Sequence, residues 1–553
     1  MTVLKFGVLR LPWCMSIVCI GFGCNPSKQL GFVVSDPGAE EPEHSGEQAE
    51  VATIVAAIPG FQLRQDIVAA YRYTGTHPLP TGGNDIDYVL VPNTTQSGVT
   101  IHHGASIVGW SFSSSSGTIW NAPGKIYPGS FSPSQTFGDP MAVLWGDPQL
   151  AVGFKRPATV ALSFLAVSET GFNNAKGTDG NIDHWLSATA AIDSVCVTLS
   201  DNGGQSWASL YCKRPAGIGS LGTDQPSVGI DKDGNVFVAV IDATTDVLLI
   251  YQLLFFITSK GATFVDFGQL VVDPQMGDGW TPRIARDQDG ELYVASASSI
   301  QSKVRLCHIT AGSLASPGSC DFIGDIGTTV GVSPKANSPS IGNVRTGETV
   351  SFGVNRVKSS SSQVPGYTDF YFAYHESANT PLRVDMTVCR QSLFPFTCKT
   401  VPQWSTSNIN LSPQGAQFQP TLSVTDMSSD QSGGNPEVRY AFYQYDSSPE
   451  VAPGKVEVFQ AKLTGSPFGG PVPTATFEGL LGVPQPKVCT ADYSGVKYWG
   501  DFFGYLFLPP ASPGILPRYL TVYSSDEGLG CAPVQPNILQ GDQLHLESWF
   551  WLD

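Results

Sequence analysis

The feature that most constrains this chain is a repeat: an apolar run opened by a residue and proline, a tight turn, and a second apolar run. Gln225-Pro226 to Ala239, with Asp233-Gly234 at the turn, and Thr281-Pro282 to Ala295, with Asp289-Gly290 at the turn, match position by position. Asp-Gly between two apolar runs marks a hairpin, because glycine accepts a positive φ at little cost. Ser338-Pro339 to Phe352, turning at Gly347, is a third copy. Gln419-Pro420 to Thr425 opens a fourth, returning at Val438 to Tyr443. Weaker copies are Asp147-Pro148 to Val152 with Ala158 to Phe164, Gly98 to Gly104 with Ser106 to Trp110, and Tyr498 to Gly504 with Arg518 to Tyr523. The seven units start near residues 98, 148, 226, 282, 339, 420 and 501. Their spacing suits one four-stranded blade plus loops, so the expected fold is an all-β propeller of antiparallel four-stranded blades, with seven preferred and six possible. A two-layer sandwich also has many short strands but would not repeat such hairpins in register.

Composition agrees with short strands and many turns. Charged residues make up 14% of the chain against 41% hydrophobic, with 59 glycines and 41 prolines in 553 residues. A net charge of −17 repels phosphate backbones, and no basic cluster offsets it locally, which argues against a nucleic-acid partner.

The start of the chain reads as a targeting segment over residues 1–24. Lys5 and Arg10 precede an apolar run from Leu11 to Phe22, too short to span a membrane, that closes on Gly23-Cys24. The ending Gly21-Phe22-Gly23-Cys24 resembles a bacterial lipoprotein lipobox, without the usual leucine three positions before the cysteine. That likeness implies lipidation at Cys24 and a membrane partner through the lipid, while simple secretion stays open. Residues 25–84 are acidic and poor in aromatics at first, so they read as a flexible tether and entry segment, with the propeller over 85–553.

Cysteine usage points to export independently. Of eleven cysteines, Cys14, Cys19 and Cys24 lie in the targeting segment, leaving eight. Cys196 with Cys212, Cys307 with Cys320, and Cys389 with Cys398 are close couples in sequence, which leaves Cys489 with Cys531. No Cys-x-x-Cys spacing suggests a metal, so local disulfides are expected, each stapling two outer strands of a blade. No cofactor is expected; a structural cation in the channel stays open.

Inside the first couple lies Ser200-Asp201-Asn202-Gly203-Gly204-Gln205-Ser206-Trp207. It resembles the Asp-box, with Ser200, Asn202, Gly204, Ser206 and Trp207 at the motif positions. Faded versions stand at Ser113 to Trp120 and Ser259 to Phe264. The chain thus resembles Asp-box sialidase-like β-propellers, a group that holds sialidases, other secreted glycoside hydrolases and non-catalytic binding proteins. In that group the motif is structural: a turn between the third and fourth strands, with its Asx side chain on the turn backbone and its tryptophan packed inward.

The resemblance implies, for an active sialidase, three arginines on a carboxylate, a Tyr/Glu nucleophile pair and an acidic proton shuttle. The early Arg-Ile-Pro motif of that mechanism has no counterpart in the body of this chain. Arg283, Arg286, Arg439, Asp501 and Tyr505 are the residues that could face the channel, each with a structural role as the plainer reading. The expected function is a lipid-anchored binding or scaffolding module for glycan or protein at the cell surface. The alternative is an exo-acting, sialidase-like glycoside hydrolase.

Overall fold

Runs such as Asn235–Asp242 and Leu292–Ser298 are apolar almost throughout, rich in Val, Ala and Ile, and bounded by turn residues. Such runs form strands covered on both faces. In a computed structural model of the chain, residues 128–156, 158–171, 192–218, 222–258, 261–298 and 303–327 are described with their turns. Elsewhere between residues 28 and 552 the strand segments and a few adjoining positions are described.

Seven antiparallel sheets of four principal strands make up the body, each strand pairing with the next. From innermost to outermost, blade 1 is Ala49–Ala56, Arg64–Arg72, Val108–Ser113 and Gly124–Ile126. Blade 2 is Gln149–Val152, Val160–Ser168, Ser194–Ser200 and Ser209–Lys213. Blade 3 is Thr223–Ile230, Asn235–Asp242, Val247–Thr258 and Gly261–Gln269. Blade 4 is Trp280–Arg286, Leu292–Ser298, Lys303–Thr310 and Ser319–Gly327. Blade 5 is Val350–Val357, Tyr367–Glu376, Arg383–Gln391 and Thr397–Thr400. Blade 6 is Ala416–Thr425, Glu437–Asp446, Lys455–Thr464 and Thr474–Gly482. Blade 7 is Gly504–Leu508, Arg518–Asp526, Leu544–Leu552 and, from the other end of the chain, Lys28–Val33.

The innermost strands of successive blades are neighbours, from blade 1 to blade 7, and that of blade 7 lies beside that of blade 1. This is a closed, seven-bladed β-propeller. Its hydrophobic core is divided among the faces between blades: Trp145, Val197, Val238 and Tyr251 pack blade 2 on blade 3, and Tyr293, Phe352, Phe370 and Phe372 pack blade 4 on blade 5.

Several sequence expectations move. The unit near residue 98 is not an inner hairpin: Val99–Ile101 pairs with Thr94–Gln96, and Val108–Ser113 is the third strand of blade 1. Blade 1 begins at Ala49, and Lys28–Val33 completes blade 7, so strands lie inside the 25–84 stretch read as a tether. Acidic residues at its start hid mostly apolar runs such as Val51-Ala52-Thr53-Ile54-Val55. In the third copy, residues 338–349 lie outside the described residues, and the expected return strand is the innermost strand of blade 5.

Pro226, Pro282 and Pro420 do not open strands; they mark bulges within them. Register slips between Asp224 and Ser227, Trp280 and Arg283, and Phe418 and Thr421. The residue before each proline takes a positive φ: Gln225 53°, Thr281 43°, Gln419 47°, and Asp147 60° at the matching place in blade 2. A bulge tolerates proline because the extra residue leaves the ladder there.

Three expected disulfides are present, each between the third and fourth strands of a blade: Cys196–Cys212, Cys307–Cys320 and Cys389–Cys398. They place maturation of the chain in an oxidising, extracytoplasmic compartment. Cys24, Cys489 and Cys531 lie outside the described residues. Among the described residues no helix is long and apolar enough to cross a membrane.

Because Lys28–Val33 closes blade 7 by pairing with Glu547–Leu552, deleting residues 28–33 should lower the melting temperature by more than about 3 °C and raise protease sensitivity near the C-terminus. An unchanged calorimetric transition would show that this strand does not hold the ring.

Candidate functional site

Strand direction divides the ring into two faces. Inner strands start on one, the entry face, near the bulges. They end on the other, the turn face, where hairpins return to the second strand and the third strand turns into the fourth.

Around the channel, Arg283 lies on the innermost strand of blade 4 and donates through Nη1 to the Pro282 carbonyl at 3.1 Å. Arg286, at the end of the same strand, donates to the Val152 carbonyl of blade 2 and, at 3.2 Å, to the Ile230 carbonyl of blade 3. Its guanidinium sits 5.4 Å over the Phe154 ring. Arg286 therefore ties three inner strands together at the turn face. Arg439 is in the second strand of blade 6 and is 5% exposed. Tyr505, on the innermost strand of blade 7, donates its hydroxyl to Gln460 Oε1 of blade 6 at 2.9 Å. Arg439 and Tyr505 are thus held in packing within and between blades. Asp501 lies outside the described residues.

The Asp-box-like segment forms the turn between the third and fourth strands of blade 2. Ser200 Oγ accepts from the Gly204 amide at 2.8 Å, and Asn202 Oδ1 accepts from the Ser206 amide at 3.0 Å. Gly204 has φ 83°, and a Cβ there would lie 2.8 Å from Val68 of blade 1. Trp207 packs edge-on against Trp110, centroids 6.1 Å apart. Of the faded copies, Ser114 to Trp120 and Ser259-Lys260 lie outside the described residues. Phe264 packs against Tyr211, Phe255 and Phe137.

The turn face also carries a cleft of about 780 Å³ between blades 4 and 5, which sequence reasoning did not find. It is lined by Asp289 and Glu291 from a hairpin turn, Tyr293 and His308 from blade 4, and Arg356, Lys358 and Tyr367 from blade 5. Ion pairs cross it from Asp289 to Lys358 at 2.6 Å and to Arg356 at 3.2 Å, while on the blade 4 side Glu291 lies 3.4 Å from His308 and pairs at 2.6 Å with Lys232 of blade 3. The only sequence signal was Asp287-Gln288-Asp289-Gly290-Glu291, because the other residues come together from distant strands.

Behind the cleft, Asp287 accepts at Oδ1 from the Asp289 and Glu291 amides, both at 2.9 Å, and its other oxygen lies 3.6 Å from Arg356. Burial pushes its carboxyl above the ordinary value, with the two amides and Arg356 pulling the other way. Tyr367 lies with the Arg390 guanidinium 3.5 Å from its ring centroid, and Arg390 is fixed by two bonds to Asp369 at 2.6 and 2.7 Å. Among the described residues no group of three or more His, Cys, Asp or Glu gathers to hold a metal ion.

No protein-family profile matches the chain, and no curated protein matches it either. Similar solved structures include a sialidase from Streptococcus pneumoniae at 10% identity and TM-score 0.35, covering 76% of this chain and 68% of that one. A protein from Lactobacillus plantarum aligns at 11% identity and TM-score 0.34, covering 76% and 85%. An alpha-L-arabinofuranosidase from Fusarium graminearum aligns at 9% and 0.27, covering 60% and 94%. Likenesses of this size carry no argument about activity, and the fold rests on the strand pairing of the chain itself.

A carboxyl whose pKa is higher folded than unfolded keeps its proton longer when folded. Its contribution therefore favours folding below the raised value and is lost as pH climbs through it. Asp287→Asn keeps an acceptor for the turn amides and removes the buried charge. Its melting temperature relative to the wild type should rise as pH goes from about 4 to about 7, measured by calorimetry. A flat or falling difference would show that Arg356 and the amides outweigh burial.

Proposed function

We propose that this protein is an exported propeller, anchored through a lipid on Cys24, that binds carbohydrate at the cell surface. The observation that carries the binding reading is the cleft between blades 4 and 5, where two tyrosines, paired carboxylates and paired cations meet in one concave surface. Sugar sites combine aromatic surface with a few placed polar groups. Binding without hydrolysis is favoured by the engagement of Arg439 and Tyr505 in packing.

Glycoside hydrolysis is the second reading. The observation that favours it is the presence of two carboxylates, Asp289 and Glu291, in one cleft, since glycosidic bonds are cut between a pair of acids. Each of the two is already engaged by a cation, which weighs toward binding.

A glycan array should show saturable binding to immobilised carbohydrate, and fluorogenic sialosides and arabinofuranosides should give no turnover above buffer. Turnover abolished by Glu291→Gln would replace the binding reading with the hydrolase. Protein that binds no member of the array would sink the carbohydrate reading altogether.

Metabolic labelling with palmitate should mark the wild type and not Cys24→Ala. Unlabelled wild-type protein in the medium would indicate simple secretion.

A further inference from the structure

The cleft between blades 4 and 5 has a charge pattern that selects among ligands. Two acids, Asp289 and Glu291, line it together with two permanent cations, Arg356 and Lys358, and Asp289 lies 2.6 Å from Lys358 and 3.2 Å from Arg356. An anionic ligand reaching the cations would meet Asp289 and Glu291 beside them, and a cationic ligand reaching the acids would meet Arg356 and Lys358. Neither gains a net Coulombic attraction from a balanced set. A neutral hydroxyl fits each pair, because it donates to the carboxylate and accepts from the adjacent ammonium or guanidinium at once. Neighbouring hydroxyls on a sugar ring can divide that work, one donating to Glu291 while the next bridges Asp289 and Lys358.

Ring surface is supplied by a tyrosine that is already fixed. Tyr367 is half-buried, with Arg390 over it at 3.5 Å and Arg390 itself held by both oxygens of Asp369. Arg390 also lies 4.5 Å over the Phe468 ring, which adds a second restraint. An aromatic platform immobilised in advance loses little side-chain entropy when a ligand settles on it. Opposite, Tyr293 is 5% exposed and packs 5.0 Å from the His308 ring, so that wall is rigid too. A volume of about 780 Å³ falls within the range of formed ligand pockets and exceeds what one sugar ring fills.

We propose that this cleft, on the turn face of the ring, is a subsite for a neutral oligosaccharide whose vicinal hydroxyls engage Glu291 and the Asp289–Lys358 pair against Tyr367. The proposal rests on the carbohydrate reading above and adds where the ligand binds and what charge it carries. Titration calorimetry on the full chain tests it, using cellotetraose, maltotetraose, xylotetraose and a galacturonate tetramer as probes. At least one neutral tetrasaccharide should bind saturably, and the galacturonate tetramer should bind about tenfold or more weakly than it. Glu291→Gln and Tyr367→Ala should each weaken the neutral probe about tenfold. Lys358→Ala, at a side chain 72% exposed and so unable to disturb folding, should weaken it several-fold. Tighter binding of the galacturonate tetramer would overturn the neutral-ligand assignment. Neutral binding unchanged in all three variants would move the carbohydrate site elsewhere, overturning the cleft while leaving the broader reading intact. No binding of any of the four probes would overturn the subsite, while the array decides the carbohydrate reading separately.

Discussion

Everything in this molecule depends on seven inner strands standing side by side in a closed ring. A blade alone exposes two apolar faces, and each becomes core only when a neighbour covers it, as Val238 and Tyr251 of blade 3 cover Trp145 and Val197 of blade 2. A gap anywhere would uncover two faces at once. The chain closes the gap by joining its ends: Lys28–Val33 pairs over its whole length with the strand that ends at Leu552. Outer edges are protected by other means. Among the described residues three blades carry a disulfide there, and in two of them a short parallel segment, Thr136–Gly138 or Val271–Val272, also lies along the fourth strand.

The repeat and the disulfides were legible because each is local. Asp-Gly between apolar runs specifies a hairpin within a dozen residues, and Gly234 and Gly290 take positive φ values of 89° and 81°. Cysteines on paired strands of one hairpin must be close in sequence. What the sequence hid was the part that depends on distant pairing. Nothing between residues 28 and 33 says that their partner is at the far end of the chain. Blade 1 was missed because Ala49–Ala56 carries no proline, so the proline-based register skipped to its third strand. The same prolines were visible but misread, since a residue-and-proline pair looks alike at the start of a strand and inside a bulge.

Candidate site residues fared according to how much their role depends on fold. The turn from Ser200 to Trp207 is held within eight residues, Ser200 Oγ accepting the Gly204 amide and Asn202 Oδ1 the Ser206 amide. Arg439 and Tyr505 were nominated by strand pattern alone, which fixes neither the strand's place in the blade nor the face a side chain takes. Arg439 lies one strand out from the channel, whereas Tyr505 is on an innermost strand and turns its hydroxyl to Gln460 of blade 6.

The turn face shows how one residue can redirect a repeated device. In blade 3, Asp231 accepts the Asp233 and Asn235 amides, and Asn235 Nδ2 donates back to Asp231 Oδ2 at 2.7 Å, so the turn satisfies itself. Blade 4 builds the same turn on Asp287, but Glu291 stands where Asn235 did. A carboxylate has no donor to return, so Glu291 reaches Lys232 and His308 instead. Asp287 Oδ2, released from that inward bond, faces Arg356 at 3.6 Å and the Tyr293 hydroxyl at 3.4 Å. Ion pairs also link the neighbouring turns, but Lys155–Asp233 is exposed at 66% and 57% and contributes little. Asp289 and Glu291 are 28% and 27% exposed and border a cavity. The exchange of Asn for Glu at one turn position thus replaces a self-contained hairpin with a wall of outward-facing acceptors. That wall exists only where blade 5 supplies Arg356, Lys358 and Tyr367 across from it.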